Sequence, residues 1–373
     1  MKIACISTSR VPSDTANSIQ LMKTCQALAR LGHQVHLLVP GQGRAEWSLL
    51  SEQYGLATPF EITWLPSNPS LKRNDFAWTA VRRARKLKAD ILYTWTGQSA
   101  VFGLLSRFPV VFEIHDLFTG RLGPLWFSAF LRLKGVKRIL PITQALLGKL
   151  EERFGAIPPG QVVIAPNGVD LEQYEALPAP PAARRQLGLP EAPTVLCAGH
   201  LYAGRGVEIF LGLAERFRQA SFVWVGGRPA DVAALQQKTR ASGLEHVTFT
   251  GFVSQRRLPC FQAAADVLLM PYARSIAGSS GGNSAEICSP MKMFDYLAAG
   301  RAILTSDLPV IHEVLNSQNA FFADPENLDA WTAALGQLLA DELLRVRLGG
   351  QARSDAVAYT WLERARRSLA GFA

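Results

Sequence analysis

The run Ser289-Pro290-Met291-Lys292-Met293-Phe294-Asp295-Tyr296-Leu297-Ala298-Ala299-Gly300 carries what an anionic ligand needs. Ser at the cap with Pro just inside predicts a helix start. Gly300 suits the C-terminal cap. A Gly- and Ser-rich stretch from Ala277 to Ser284 leads into the helix. Backbone N–H groups at a helix start, preceded by a pliant loop, make a ready anion site. The carboxylate of Asp295 lies about two turns in, where it can accept ribose hydroxyls. That is the layout of a nucleotide-diphosphate pocket, lined by Ser289, Pro290, Met291, Lys292 and Asp295.

A second motif has the same chemistry. Gly199-His200-Leu201-Tyr202-Ala203-Gly204-Arg205-Gly206 follows a predicted strand, Thr194 to Ala198. A strand, a Gly-rich turn, a cation and a helix suit a pyrophosphate. A helix-initiating loop with a surface Arg is the plainer alternative, but position and pattern together favour phosphate. Val225-Gly226-Gly227-Arg228 ends another strand, and its glycines allow close backbone approach to a ligand. Gly251-Phe252-Val253 follows the next strand and on its own reads as a strand-to-helix turn.

In the N-terminal half, Glu113, His115 and Asp116 stand at the end of the predicted strand Val110 to Glu113. Three polar side chains within four positions at a strand end suggest a task. Asn17, Ser18 and Gln20 open the first helix, and a polar acceptor wall and a simple capping loop fit them equally. Pro166-Asn167-Gly168 reads as a turn at a domain junction. The His and Cys residues are dispersed and no Asp-x-Asp occurs, so no metal and no cofactor are expected.

The elements that position these residues alternate. Lys2 to Ser7 is a predicted strand. Ser18 to Leu31 is a predicted helix, with Ile19, Met22, Cys25, Leu28 and Ala29 at helical spacing. Strands follow at Val35 to Val39, Ile91 to Thr94 and Val110 to Glu113. A Pro-rich stretch, Ile157 to Pro193, is the predicted linker. A second β/α series holds Thr194 to Ala198, Phe222 to Val225, Val247 to Thr250, Val267 to Met270 and Ala302 to Thr305. The expected class is α/β, with two Rossmann-like, doubly wound parallel-sheet domains facing across a cleft.

Several motifs resemble the family-4 glycosyltransferases, which have the GT-B fold and retain anomeric configuration. Gly199 to Gly206 resembles the family's Gly-x-Leu-Tyr-x-x-Lys-Gly pattern, with Arg205 in place of Lys. Asp295 stands where the second of two Glu residues usually stands. The first falls on Ile287, and the chain resembles the subgroup with Ser-Pro-x-Lys there. The resemblance implies catalytic roles for His115, Arg205 and Asp295. His115 would meet the donor sugar and Asp295 the ribose. Gly199, His200, Gly204, Gly226, Gly227 and Val253 would bind the rest of the donor. It also implies an acceptor domain at 1–170, joined by a returning helix at 359–373, and a donor domain at 171–358. The function so implied is retaining transfer from a nucleotide-diphosphate sugar to a glycan, lipid-linked or polysaccharide hydroxyl. A non-catalytic nucleotide-sugar-binding subunit and a nucleotide-sugar epimerase on the same fold are the rivals.

Bulk properties set limits. The 373 residues favour two domains. The net charge of +9 is uneven. Residues 1–175 hold 20 Lys+Arg against 13 Asp+Glu, and the remainder holds 19 against 17. The densest run is Arg82-Arg83-Ala84-Arg85-Lys86-Leu87-Lys88. This bias suggests an anionic partner, whether a membrane surface, an anionic acceptor or nucleic acid, and a plain solvated helix face fits the run equally. No nucleic-acid recognition motif accompanies it. Five scattered Cys suggest a reduced compartment. No signal peptide and no membrane span are read. The expected location is cytoplasmic, with peripheral contact at the inner membrane face.

Overall fold

A computed structural model describes residues 1–276 and 283–372. The chain divides into two compact units, Met1–Asn167 with Trp361–Ala373, and Gly168–Thr360.

The first unit alternates β1 (Lys2–Ile6), α1 (Ala16–Arg30), β2 (Gln34–Pro40), α2 (Trp47–Tyr54), β3 (Glu61–Leu65), α3 (Asn74–Lys86) and β4 (Ile91–Thr94). It continues with α4 (Gly97–Leu105), β5 (Val110–Ile114), α5 (Gly123–Arg132), β6 (Lys137–Pro141) and α6 (Gln144–Phe154). The strands pair in parallel in the order β3-β2-β1-β4-β5-β6.

The second unit holds α7 (Pro180–Leu187), β7 (Thr194–Ala198), α8 (Val207–Arg216), β8 (Ser221–Val225), α9 (Pro229–Ala241) and β9 (Val247–Phe249). Next come α10 (Leu258–Ala263), β10 (Val267–Met270), α11 (Met291–Ala299), β11 (Ala302–Ser306), β12 (Phe321–Ala323), α12 (Leu328–Ala340) and α13 (Glu342–Asp355). Its parallel order is β12-β11-β10-β7-β8-β9, the same arrangement counted from its own first strand. The last helix, α14 (Trp361–Leu369), returns to the first unit and packs on α1.

Both sheets are covered on both faces, so their central strands are buried and mostly apolar, with Thr94, Glu113 and Thr194 as buried polar exceptions. Every residue of β7 and β10 is buried. Around them Phe210, Phe222, Trp224, Leu269, Leu304 and Trp331 form the core of the second unit. Strand order reverses between β1 and β4, and between β7 and β10. Ligands bind beside the strand carboxyl ends at such reversals.

Sequence and structure differ in four places. The units part at 167/168 and 360/361, not at 170 and 358. Val169 donates to the Tyr359 carbonyl at 3.0 Å and bridges Thr360, which ties these residues to the second unit. The Pro-rich linker is not structureless. Pro180 and Pro181 open α7, because Pro fits a first helical turn. Arg184 of α7 then donates to the Ala264 carbonyl at 3.0 Å and pairs with Asp266. The N-cap of α11 is Pro290, at φ −66° and ψ 126°, rather than Ser289. Asp295 is consequently the fifth residue of α11, just over one turn in at ~3.6 residues per turn.

Candidate functional site

In the second unit the loops that follow β7 and β10 meet at the strand reversal. Gly206 has φ +85°, and a Cβ there would stand 1.9 Å from the Pro271 carbonyl oxygen. Gly204 has φ +78°, with a Cβ position 2.1 Å from the Ser275 carbonyl oxygen. Only glycine tolerates both the left-handed backbone and the contact. Gly206→Ala is expected to destabilise the protein by at least about 2 kcal/mol. Urea unfolding with an unchanged m-value measures this.

The turn these glycines permit carries Arg205. Its guanidinium carbon lies 4.9 Å from the centroid of the Tyr272 ring, and the Lys292 Nζ lies 5.1 Å from the same centroid. Lys292 is the second residue of α11. Its Nζ would be 3.2 Å from a Cβ on Gly199 and lies 3.7 Å from the Cys197 Sγ. Among the described residues, neither cation is paired with a carboxylate. Tyr272 raises the Arg205 pKa above its ordinary value against the cost of burial, so the guanidinium stays charged. Burial pushes the neighbouring Cys288 thiol up to about 11 although Arg205 opposes this, so it stays protonated near neutrality.

Helix α11 is fixed by its own tyrosine. The Tyr296 hydroxyl accepts from the Ala198 N–H at 2.8 Å and donates to the Leu269 carbonyl at 3.2 Å. The Met291 and Lys292 amides, at the start of this helix, are thereby held against the ends of β7 and β10. Two unpaired cations, a helix N-terminus and a glycine turn suit a dianion.

The remaining expected donor residues lie on the loops after β7, β8 and β9 and on α11 with the residues before it. Gly199 donates to the Val225 carbonyl at 2.8 Å, and Gly226 to the Gly251 carbonyl at 2.9 Å. Gly227 packs on Leu201. His200 stacks on Tyr202 at 5.0 Å and 15°. The Arg228 Nη2 donates to the Tyr202 hydroxyl at 3.3 Å. Ser289 and Pro290 are buried and Val253 is half-buried. Asp295 is half-buried beside the buried Tyr174, where burial first and the Asp295 charge second push the phenol pKa up. Ile287 is buried and Glu286 exposed. Of the Gly/Ser-rich stretch 277–284, residues 277–282 lie outside the described residues.

In the first unit the strand-end residues form a buried polar cluster. The Glu113 Oε1 accepts from the Gln20 Nε2 at 2.5 Å, the His115 Nε2 at 2.5 Å and the Arg364 Nη2 at 2.6 Å. Its Oε2 accepts from the Tyr93 hydroxyl at 2.5 Å. Burial alone would raise the Glu113 pKa, but the Arg364 guanidinium and the His115 hydrogen bond outweigh it and hold it at about 2. An ionised carboxylate only accepts, so the His115 Nε2 carries a proton. Asp116 is half-buried and accepts from the Leu117 N–H at 2.8 Å.

The acceptor-wall residues separate. Ser18 is buried, bonded to the Arg10 carbonyl at 2.9 Å and the Tyr54 hydroxyl at 2.7 Å. Gln20 is buried against Glu113 and accepts from the Trp95 Nε1 at 3.1 Å. Asn17 is exposed. The capping alternative fails on side chains too, because the N-cap of α1 is Thr15 and it makes no side-chain cap bond.

Sequence reasoning missed Tyr272 and Arg364. Tyr272 stands two residues beyond β10, and the strand-end rule that picked out Arg205 reaches it. Arg364 lies 251 residues from Glu113, and no local signal joins them.

Comparison with known proteins decides the class. Residues 19–173 match the family model for Glycosyltransferase Family 4, and residues 192–341 match that for Glycosyl transferases group 1. The chain is a glycosyltransferase of the family-4 type. It is similar to the D-inositol 3-phosphate glycosyltransferase of Xylanimonas cellulosilytica, 25% identical over 94% of this chain and 90% of that one. A GDP-mannose-dependent alpha-(1-6)-phosphatidylinositol monomannoside mannosyltransferase of Mycobacterium tuberculosis is 27% identical over 74% of each chain. Among solved structures, HepE of Anabaena in complex with UDP and glucose matches with a TM-score of 0.76. The two are 17% identical, and the match covers 100% of both chains. The fold of this glycosyltransferase is therefore GT-B.

Proposed function

We propose that this glycosyltransferase moves a sugar from a nucleoside-diphosphate sugar to a hydroxyl of a glycan, a lipid-linked carrier or a polysaccharide, with retention of configuration. The observation that carries this reading is the pair of cations, Arg205 and Lys292, flanking one Tyr272 ring at the start of α11. Two cations side by side would counter the charge of a diphosphate.

Each group has a role in the reaction. The bond from the sugar anomeric carbon to the donor phosphate oxygen breaks. Arg205, Lys292 and the Met291 and Lys292 amides stabilise the charge that builds on the leaving diphosphate. The acceptor oxygen bonds to the anomeric carbon on the face the diphosphate leaves. The acceptor proton passes to the departing phosphate oxygen, so no enzymic nucleophile is required. Asp295 holds the ribose hydroxyls. His115 orients the sugar; with its Nε2 proton committed to Glu113, its Nδ1 is the acceptor for a sugar hydroxyl. Glu113 acts through His115 and is a positioning residue. Ile287, where the first Glu of the motif would fall, supplies no carboxylate to the sugar.

The relatives' names mention GDP-mannose and UDP, so the base is best read by experiment. Thermal shift with UDP-, GDP- and ADP-sugars, followed by release of the matching diphosphate, is expected to single out one base. Asp295→Ala is expected to raise the donor KM by about 10- to 100-fold, the value of a charged hydrogen bond. Unchanged donor KM and turnover in that variant would remove Asp295 from the site. A new epimer formed without acceptor would favour the isomerase rival.

A further inference from the structure

The first unit carries a surface that the donor chemistry does not use. Helices α3, α4 and α5 lie side by side on one face of its sheet. Across them runs an aromatic row. The Trp78 ring meets Phe102 at 5.7 Å, and Phe102 meets Trp126 at 5.5 Å, both edge-on. Trp78 is 49% exposed, although α3 had buried positions to offer it. Leu105 follows Phe102 by three residues on α4, Leu125 directly precedes Trp126 on α5, and they are 61% and 63% exposed. Single exposed apolar residues are ordinary, but a contiguous group of large ones marks an interaction site.

The rim of this group is basic. Residues 74–88, 97–107 and 121–134 together hold nine Lys and Arg and one acidic residue, Asp75. Asp75 sits at the first turn of α3 and accepts from the Asn68 N–H at 2.7 Å. Trp78, Arg82 and Arg85 repeat at i, i+4 and i+7, so they form one stripe along α3. Arg85 places that stripe next to α4, because its Nη2 donates to the Ser106 carbonyl at 2.6 Å. Arg82 and Lys86 are exposed, and the acidic residues flanking them in sequence, Asp75 and Asp90, accept from the Asn68 and Lys2 backbone N–H groups.

We propose that the α3–α4–α5 face docks on an anionic lipid bilayer surface. Trp78, Leu105 and Leu125 would enter the headgroup boundary, and the Arg and Lys rim would meet lipid phosphates. Trp suits that depth, where one side of the ring is apolar and the other wet. A nucleic acid would use the basic rim but leave the leucines unburied. A second copy of the chain would bring the same positive charge against itself. No helix among the described residues is long and apolar enough to cross a membrane, so the contact is peripheral. This inference is independent of the donor-site reading.

The test is co-sedimentation of the full chain with vesicles of phosphatidylcholine alone or with about one-third phosphatidylglycerol. Binding is expected only to the anionic vesicles, and to weaken with salt. Arg82→Glu with Lys86→Glu is expected to weaken it at least about tenfold. Leu125→Glu, at an exposed position, is expected to weaken it while leaving melting unchanged. Arg240→Glu, on the exposed surface of the second unit, should bind like wild type. Equal binding to both vesicle types overturns the proposal, as does wild-type binding by the rim or Leu125 variants. So does dimerisation lost in Leu125→Glu, or duplex DNA binding that the leucine variant keeps and the vesicles do not reproduce. Diphosphate release from soluble donor, measured without vesicles, reports on the donor site separately.

Discussion

Arg205→Ala is expected to lower kcat by about two to three orders of magnitude, the loss seen when one preorganised donor to a developing anion is removed. The expectation rests on where the guanidinium stands. It is held over Tyr272 by a turn that only glycines can make, so it is in place before the diphosphate leaves. Preorganised charge stabilises the leaving group at no reorganisation cost. Arg205→Lys keeps the charge and loses the fork, and is expected to recover part of the rate. Lys292→Ala is expected to add less than its full single effect when combined with Arg205→Ala, because both cations share one ring and one anion. Single-turnover measurement of diphosphate release separates this loss from donor binding.

Glu113→Ala is expected to produce the largest stability loss of any single change in the first unit, about 3–5 kcal/mol. The substitution strands the Arg364 guanidinium, which is buried and bonded to Glu113, Tyr93, Thr24 and the Pro166 and Ala165 carbonyls. It also cuts α14 from the end of β5. Glu113→Gln keeps the shape and hydrogen-bonding capacity, and is expected to cost less. The pH dependence has a definite sign. The folded pKa of about 2 lies below the ordinary 4.5, so the carboxylate contributes stability at pH values above 4.5. That contribution is lost as pH falls through 2. The difference between wild type and Glu113→Gln should be level above about pH 5 and shrink by about 3 kcal/mol towards pH 2. A pH-independent difference would show that the carboxylate is not held ionised by Arg364.

The alternation of apolar strands and amphipathic helices was legible because buried parallel strands are apolar on both faces. Thr194–Ala198 and Val267–Met270 read as strands for that reason and are strands. Three strands were not legible. β3 (Glu-Ile-Thr-Trp-Leu) is a sheet edge with no fully buried residue, and β12 is three residues long. β6 opens with Lys137 and Arg138 and ends in Pro141. Lys137 donates to the Phe130, Leu131 and Leu133 carbonyls, and the Arg138 Nη1 donates to the Ser368 carbonyl at 2.9 Å. Only the tertiary fold shows those partners.

The site was partly legible. Gly204, Arg205, Gly206 and Lys292 were visible as pattern, because a phosphate turn needs glycines and a cation close together in sequence. That Arg205 and Lys292 share Tyr272 was not visible, since 87 residues separate the two cations. Ser18 and Gln20 misled for a physical reason. Polar residues at a helix start usually face water or cap the helix, whereas here they turn inward to Tyr54 and Glu113. The buried acid that Gln20 serves draws its charge partner from the far end of the chain.

The most direct test of the donor site is calorimetric titration of UDP, GDP and ADP into wild type and into Arg205→Ala with Lys292→Ala. One nucleotide is expected to bind wild type and to bind the double variant at least about 100-fold more weakly, the worth of two charge-assisted contacts. Equal affinity for wild type and the double variant would contradict the account, because the diphosphate would then lie away from Tyr272 and the start of α11.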